Sequence, residues 1–173
     1  MKNLSVIISI FTIIIFNACN TKQVDNAVAF NDSIIKSFDP IIDRMIEFEM
    51  AIYDDEADIE KMYIDIKSFS DSVLANVEKM PAFQDGDSLK QRAIDVLKFY
   101  NRIITEDYQK IVSILNTSDT LSVEAEAFIE FLLRESYKDE GPVMEAFEKE
   151  QKNFARRHNF KIENPKTSNQ QPF

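Results

Sequence analysis

The chain has 173 residues and a formal net charge of −10, with 30 acidic against 20 basic side chains. That balance suits neither nucleic-acid phosphates nor electrostatic docking on anionic lipid, and no nucleic-acid partner is expected. Two glycines, five prolines and no tryptophan argue against a turn-rich all-β chain and for long helices.

The first element is a leader. Lys2 precedes an uncharged, mostly apolar run, Leu4 to Phe16 ("LSVIISIFTIIIF"). It is short for a membrane span, which needs about 20 residues, and it fits the core of a signal peptide. The small residue Ala18 and then Cys19, the only cysteine, follow. The stretch "FNAC" at Phe16–Cys19 resembles the lipobox of bacterial lipoproteins, with Phe16 where Leu is common and an atypical Asn17. The resemblance implies cleavage before Cys19 and a diacylglycerol on its sulfur, so residues 1–18 read as signal peptide. An acylated sulfur takes no part in thiol chemistry, and a lone cysteine forms no internal disulfide. Removing residues 1–18 leaves 155 residues and takes Lys2 with it, moving the net charge to −11. Residues 19–23 then form a short lipidated tether. The expected location is the outer membrane, and "NTKQVD" after the cysteine does not decide between its periplasmic and external faces.

Four apolar stripes of helical period fill residues 24–158. The first reads Ala27, Phe30, Ile34, Phe38, Ile41, Met45, Phe48, Ile52. Its phase carries across Pro40, which favours one kinked helix over two helices with Asp39 as an N-cap. The second reads Ile59, Met62, Ile66, Phe69, Val73, Val77, Met80, and Pro81 closes it. After the turn at Asp85-Gly86, Ser88 and Gln91 match a capping box. They open a third stripe of Leu89, Ala93, Leu97, Tyr100, Ile104, Tyr108, Ile111 and Leu115. The fourth begins near Ser122 with Ala125, Phe128, Ile129, Leu132 and Leu133, and Phe131 widens it. It resumes after Gly141-Pro142 with Val143, Phe147 and Phe154. A bend or a break at Pro142 fits this pattern equally. Residues 159–173 carry no pattern and read as a disordered tail. No stripe can be buried by its own helix, and short connections make neighbours antiparallel. The expected fold is all-α: an up-down-up-down antiparallel four-helix bundle with kinks near Pro40 and Pro142.

Chemistry is sparse. His158 is the only histidine; it follows Arg156 and Arg157 at a helix end, where cations are favoured. A di-iron bundle needs Glu-x-x-His pairs, and haem needs a well-placed axial ligand; neither fits. Residues 54–60 ("DDEADIE") hold five carboxylates. Asp54, Asp55, Glu56 and Asp58 are therefore weak metal candidates, though acids at a helix start explain the cluster. Two glycines cannot build a phosphate-binding loop. Fourteen phenylalanines allow a cavity for a lipid or quinone, with Phe38, Met45, Phe69, Tyr100, Phe128 and Phe147 as its lining; a packed core is the simpler reading. No catalytic residue and no cofactor beyond the acyl chains on Cys19 are expected.

"AVAFNDSIIKSFDPIIDRM" and "EKMPAFQDGDSLKQRAIDVLKFYNRIITEDYQKI" resemble a group of small all-helical surface lipoproteins of Gram-negative and spirochaetal type. The resemblance implies an envelope location and a helical fold, and it assigns no functional residue. The expectation is a lipid-anchored, non-enzymatic interaction or structural module with a protein partner in the envelope. The alternative is a carrier of an apolar small molecule.

Overall fold

All eight positions of the first stripe are buried, from Ala27 to Ile52. The first seven lie on α1 (Lys2–Ala51), one uninterrupted helix that passes through Pro40, and Ile52 follows directly after its last residue. The computed structural model describes residues 2–81, 83–117 and 121–162, with side chains from residue 22 onward. The tether expected over residues 19–23 is helical, part of α1.

α2 (Ile59–Lys79) starts where Asp58 accepts the Lys61 amide at 3.0 Å. At its other end Lys90 donates to the carbonyls of Glu78 and Met80, at 2.8 and 2.7 Å. This cation satisfies orphan acceptors at the negative end of the helix dipole.

α3 (Asp87–Arg102) opens without the expected capping box. Gly86 is the N-cap with no side-chain hydrogen bond, Ser88 lies inside the helix, and the Gln91 amide donates to Asp95 at 3.1 Å. The reason is steric. A Cβ at Gly86 would meet Phe30 Cε1 and the Phe83 carbonyl oxygen, each at 2.8 Å. Gly86 lets the turn close against a buried ring. Gly141 has nothing within 4 Å of the same built atom. Gly86→Ala should therefore lower stability by about 1–3 kcal/mol through overpacking. Gly141→Ala should raise it by about 0.5–1 kcal/mol through helix propensity. Urea denaturation of the two variants checks the contrast.

A π-helical segment, Ile103–Tyr108, joins α3 to α4 (Gln109–Leu115). After a turn, Ser122 caps α5 (Val123–Ser136) by accepting the Ala125 amide at 3.2 Å. α6 (Glu140–Arg157) completes the chain. The interruption expected at Gly141-Pro142 is a break rather than a kink. It falls at residues 137–139, and Pro142 sits in the first turn of α6, where its missing N–H costs nothing.

The protein is all-α among the described residues, and four helical rods pack as a bundle: α1, α2, the α3–π–α4 rod, and α5 with α6. Cross-contacts fix the directions. Phe30 meets Phe154 and Phe38 meets Phe147, so α6 runs antiparallel to α1. Phe48 stacks on Tyr108 at 4.4 Å, at the end of the bundle farthest from residue 22. Within the core, the Gln151 amide donates to Asn31 at 3.0 Å, a buried polar pair that fixes α6 in register on α1.

The C-terminus of α6 is a Schellman motif. Asn159 takes φ 57°, Phe160 N–H donates to the Ala155 carbonyl at 3.0 Å, and the Phe160 ring packs edge-on to Phe154. The tail expected to begin at Asn159 is thus folded through Phe160, and residues 163–173 lie outside the described residues.

Candidate functional site

Two ends of the bundle carry polar chemistry. At the end nearer residue 22, His158 is buried and its Nε2 lies 2.7 Å from Asp85 Oδ1. Arg157 also donates to Asp85. Burial opposes ionisation of Asp85, but the hydrogen bonds and charges of His158 and Arg157 outweigh it and hold the carboxyl below the usual range. The imidazole packs on Phe154 at 4.4 Å and Phe83 at 5.5 Å. His158 is a helix-end residue, as its position suggests, and it also ties α6 to the α2–α3 turn.

The opposite end is richer. Glu49 of α1 is 8% exposed, and its Oε1 accepts hydrogen bonds from the phenols of Tyr108 and Tyr137. The two phenol oxygens are 3.1 Å apart. Burial raises the Glu49 pKa, outweighing the two phenol donors, and Glu140 adds to the rise. Burial also raises both phenols, and the nearby Glu49 carboxylate raises them further. Tyr100 behaves likewise, donating to Glu140 at 2.7 Å.

The π segment organises this end. Its wider turn turns two consecutive polar side chains inward. Tyr108 reaches α1, while Asp107 accepts from Ser136 of α5 at 2.9 Å. Arg102 and Lys110 each pair with Asp107 at 3.0 Å. Burial opposes its ionisation too, but these partners prevail and the Asp107 pKa is lowered. The Thr105 hydroxyl donates to the Asn101 carbonyl at 2.8 Å, giving an acceptor in the widened ladder a partner.

The expected site residues do not converge. Cys19 lies on α1, upstream of the residues whose side chains are described. Asp54, Asp55, Glu56 and Asp58 are exposed in the α1–α2 turn, where Asp54 accepts the Glu56 amide and Asp58 caps α2. Among the described residues no group of three or more His, Cys, Asp or Glu is placed to hold a metal ion. Of the six candidates for a cavity lining, Phe38 and Phe147 pack edge-to-face at 5.1 Å, and Met45 is buried. Tyr100 is held by Glu140, and Phe69 lies under the Arg44 guanidinium at 4.3 Å. Phe128 leaves the core altogether. It is 50% exposed and stacks on Phe131, 44% exposed, on the outside of α5. The core side of α5 is taken by Ile129, Leu133 and Ser136, which leaves Phe128 off the stripe. A shallow depression between α3 and α6 is lined by Arg92, Asp95, Pro142, Val143 and Ala146, and none of the six candidates touches it.

Sequence reasoning missed Glu49, Asp107 and the Asn31–Gln151 pair. One signal was present for Glu49. Tyrosines on a core stripe need an acceptor for their hydroxyls, and Glu49 flanks the first stripe beside Phe48.

The remaining feature is outside. Among the described residues, seven large apolar side chains are exposed: Ile46, Met50, Tyr53, Ile64, Val123, Phe128 and Phe131. They sit on the C-terminal part of α1 and the turn after it, the first half of α2, and α5. In the bundle topology all three belong to the end away from residue 22. No protein-family model, curated protein or solved structure matches this chain.

Proposed function

We propose that this chain is a lipid-anchored, non-enzymatic helical bundle of the bacterial outer membrane. It is held by a diacylglycerol on Cys19 and acts as an interaction or structural module of the envelope. The observation that carries this reading is the one-sided distribution of exposed apolar side chains. From Cys19 to Ile46 along α1 is about 40 Å, so an anchor at one end presents these side chains at the other. Apolar groups of this size left outside a filled core favour a binding surface. Among the described residues, no buried side-chain nitrogen or oxygen lacks a hydrogen-bond partner, so the interior polar groups are already committed to the fold.

Also among the described residues, no helix is long and apolar enough to cross a membrane. In this reading the acyl chains alone give the membrane affinity, each buried CH₂ contributing about 0.8 kcal/mol. Full-length protein carrying Cys19→Ala should keep its helical circular dichroism and move from the membrane pellet to the soluble fraction after alkaline washing. Retention in the pellet contradicts the anchor.

A further inference from the structure

We propose that the crease between the C-terminal part of α1 and α5, around Ile46, Met50 and Tyr53, docks a cationic amphipathic helix of a partner protein. This inference rests on the interaction-module reading and names the chemistry of its partner.

Ile46 and Met50 are four residues apart and share one flank of α1, and Tyr53 follows in the turn after the helix, its N–H donating to the Met50 carbonyl at 3.4 Å. They are 40%, 71% and 52% exposed. The stripe runs about 10 Å along the axis, enough to seat two turns of a helix. Met50, the most exposed of the three, adapts its shape to a partner surface. The second wall is α5. Glu126, Glu130 and Tyr137 fall on one face by spacing, and Tyr137 fixes that face toward α1 through its bond to Glu49. Tyr53 feels the result: burial raises its phenol pKa, and the carboxylates of Glu130, Glu126 and Glu49 raise it further.

The crease is apolar in its middle and negative around it. Asp43 and Glu47 lie beside the stripe on α1. Among the described residues, neither these two nor Glu49, Glu126 and Glu130 lie within 4.0 Å of a cationic nitrogen. The nearby cations are engaged: Arg44 covers Phe69, Arg134 lies over Phe131, and Lys110 pairs with Asp107. Carboxylates without cations around an apolar stripe call for lysine or arginine on the same ligand that fills the stripe. A second copy of a chain of net charge −10 would bring the same carboxylates face to face. Anionic lipid would be repelled in the same way.

The test uses full-length protein and two synthetic amphipathic helical peptides, one of leucine and lysine and its twin with glutamate for lysine. Binding is read by isothermal titration at physiological salt. The lysine peptide should bind and the glutamate twin should not. Met50→Ser with Tyr53→Ser, and separately Glu126→Gln with Glu130→Gln, should each weaken binding by about tenfold or more, or ~1.4 kcal/mol. Glu60→Gln with Asp65→Asn removes two exposed acids from α2 and should change binding by less than about twofold. Equal weakening by that control pair reduces the effect to general charge and overturns the proposal. So does binding of the glutamate twin, or indifference to both crease pairs. Self-association abolished by Met50→Lys gives the crease to a second copy and also overturns it. The titration does not depend on the anchor, so an unacylated Cys19 would defeat the envelope reading and leave this result standing.

Discussion

Phe154→Ala is expected to cost about 3–5 kcal/mol of folding stability, the range for emptying a fully buried aromatic site. Phe154 has no exposed surface. Its ring lies 5.7 Å from Phe30, 6.0 Å from Phe83, 6.0 Å from Phe160 and 4.4 Å from the His158 imidazole. Four neighbours on α1, the α2–α3 turn and the C-terminal motif cannot all collapse into one gap. The loss would take a large fraction of the roughly 5–15 kcal/mol that holds a domain. Phe131→Ala is the matched comparison. That ring is 44% exposed, and its removal should cost less than about 1 kcal/mol. Urea denaturation of the pair separates a core phenylalanine from a surface one. Equal losses would contradict the burial described here.

Glu49→Ala is the second large effect, expected at about 2–4 kcal/mol. It strips the acceptor from two phenol donors, and an unsatisfied buried group costs about 1–3 kcal/mol. The phenol oxygens lie 3.1 Å apart, so one donor can turn to the other; the second is left without a protein acceptor. Glu49→Gln should behave differently, because an amide oxygen accepts both phenols without carrying charge. The Glu49 pKa is raised in the folded protein by burial. Its favourable contribution is therefore complete below the unfolded carboxyl pKa and is lost as pH rises through the folded value. Glu49→Gln should remove that loss and be at least as stable as the parent at neutral pH. Its advantage should shrink as pH falls toward the ordinary carboxylate range. Thermal melts from acid to neutral pH check the sign. A glutamine variant that loses as much stability as the alanine one would show that the charge itself holds the cluster together.

The bundle was legible because its information is periodic. Ala27 through Ile52 repeat at steps of three and four, and burying that stripe leaves little choice of partner geometry. The third stripe held from Leu89 to Ile111 for the same reason, every member being buried. Phe128 failed because spacing places a residue near a stripe, while neighbouring helices decide whether that flank is covered. Ser88 failed because the cap depended on Gly86 fitting against Phe30, a contact from another helix. The acid–phenol cluster was hidden for a related reason. Glu49, Tyr108 and Tyr137 come from three segments, and their meeting depends on a π turn that no periodicity announces. Exposed apolar groups are equally silent in sequence, since Ile46 and Met50 read as ordinary members of a helix until the packing leaves them outside.

Intact mass spectrometry of the protein purified from native membranes tests the anchor on which the functional reading depends. The account predicts a polypeptide that begins at Cys19 and carries added diacylglycerol mass, with no thiol open to alkylation. A chain that retains residues 1–18, or a Cys19 that alkylates as a free thiol, would contradict it.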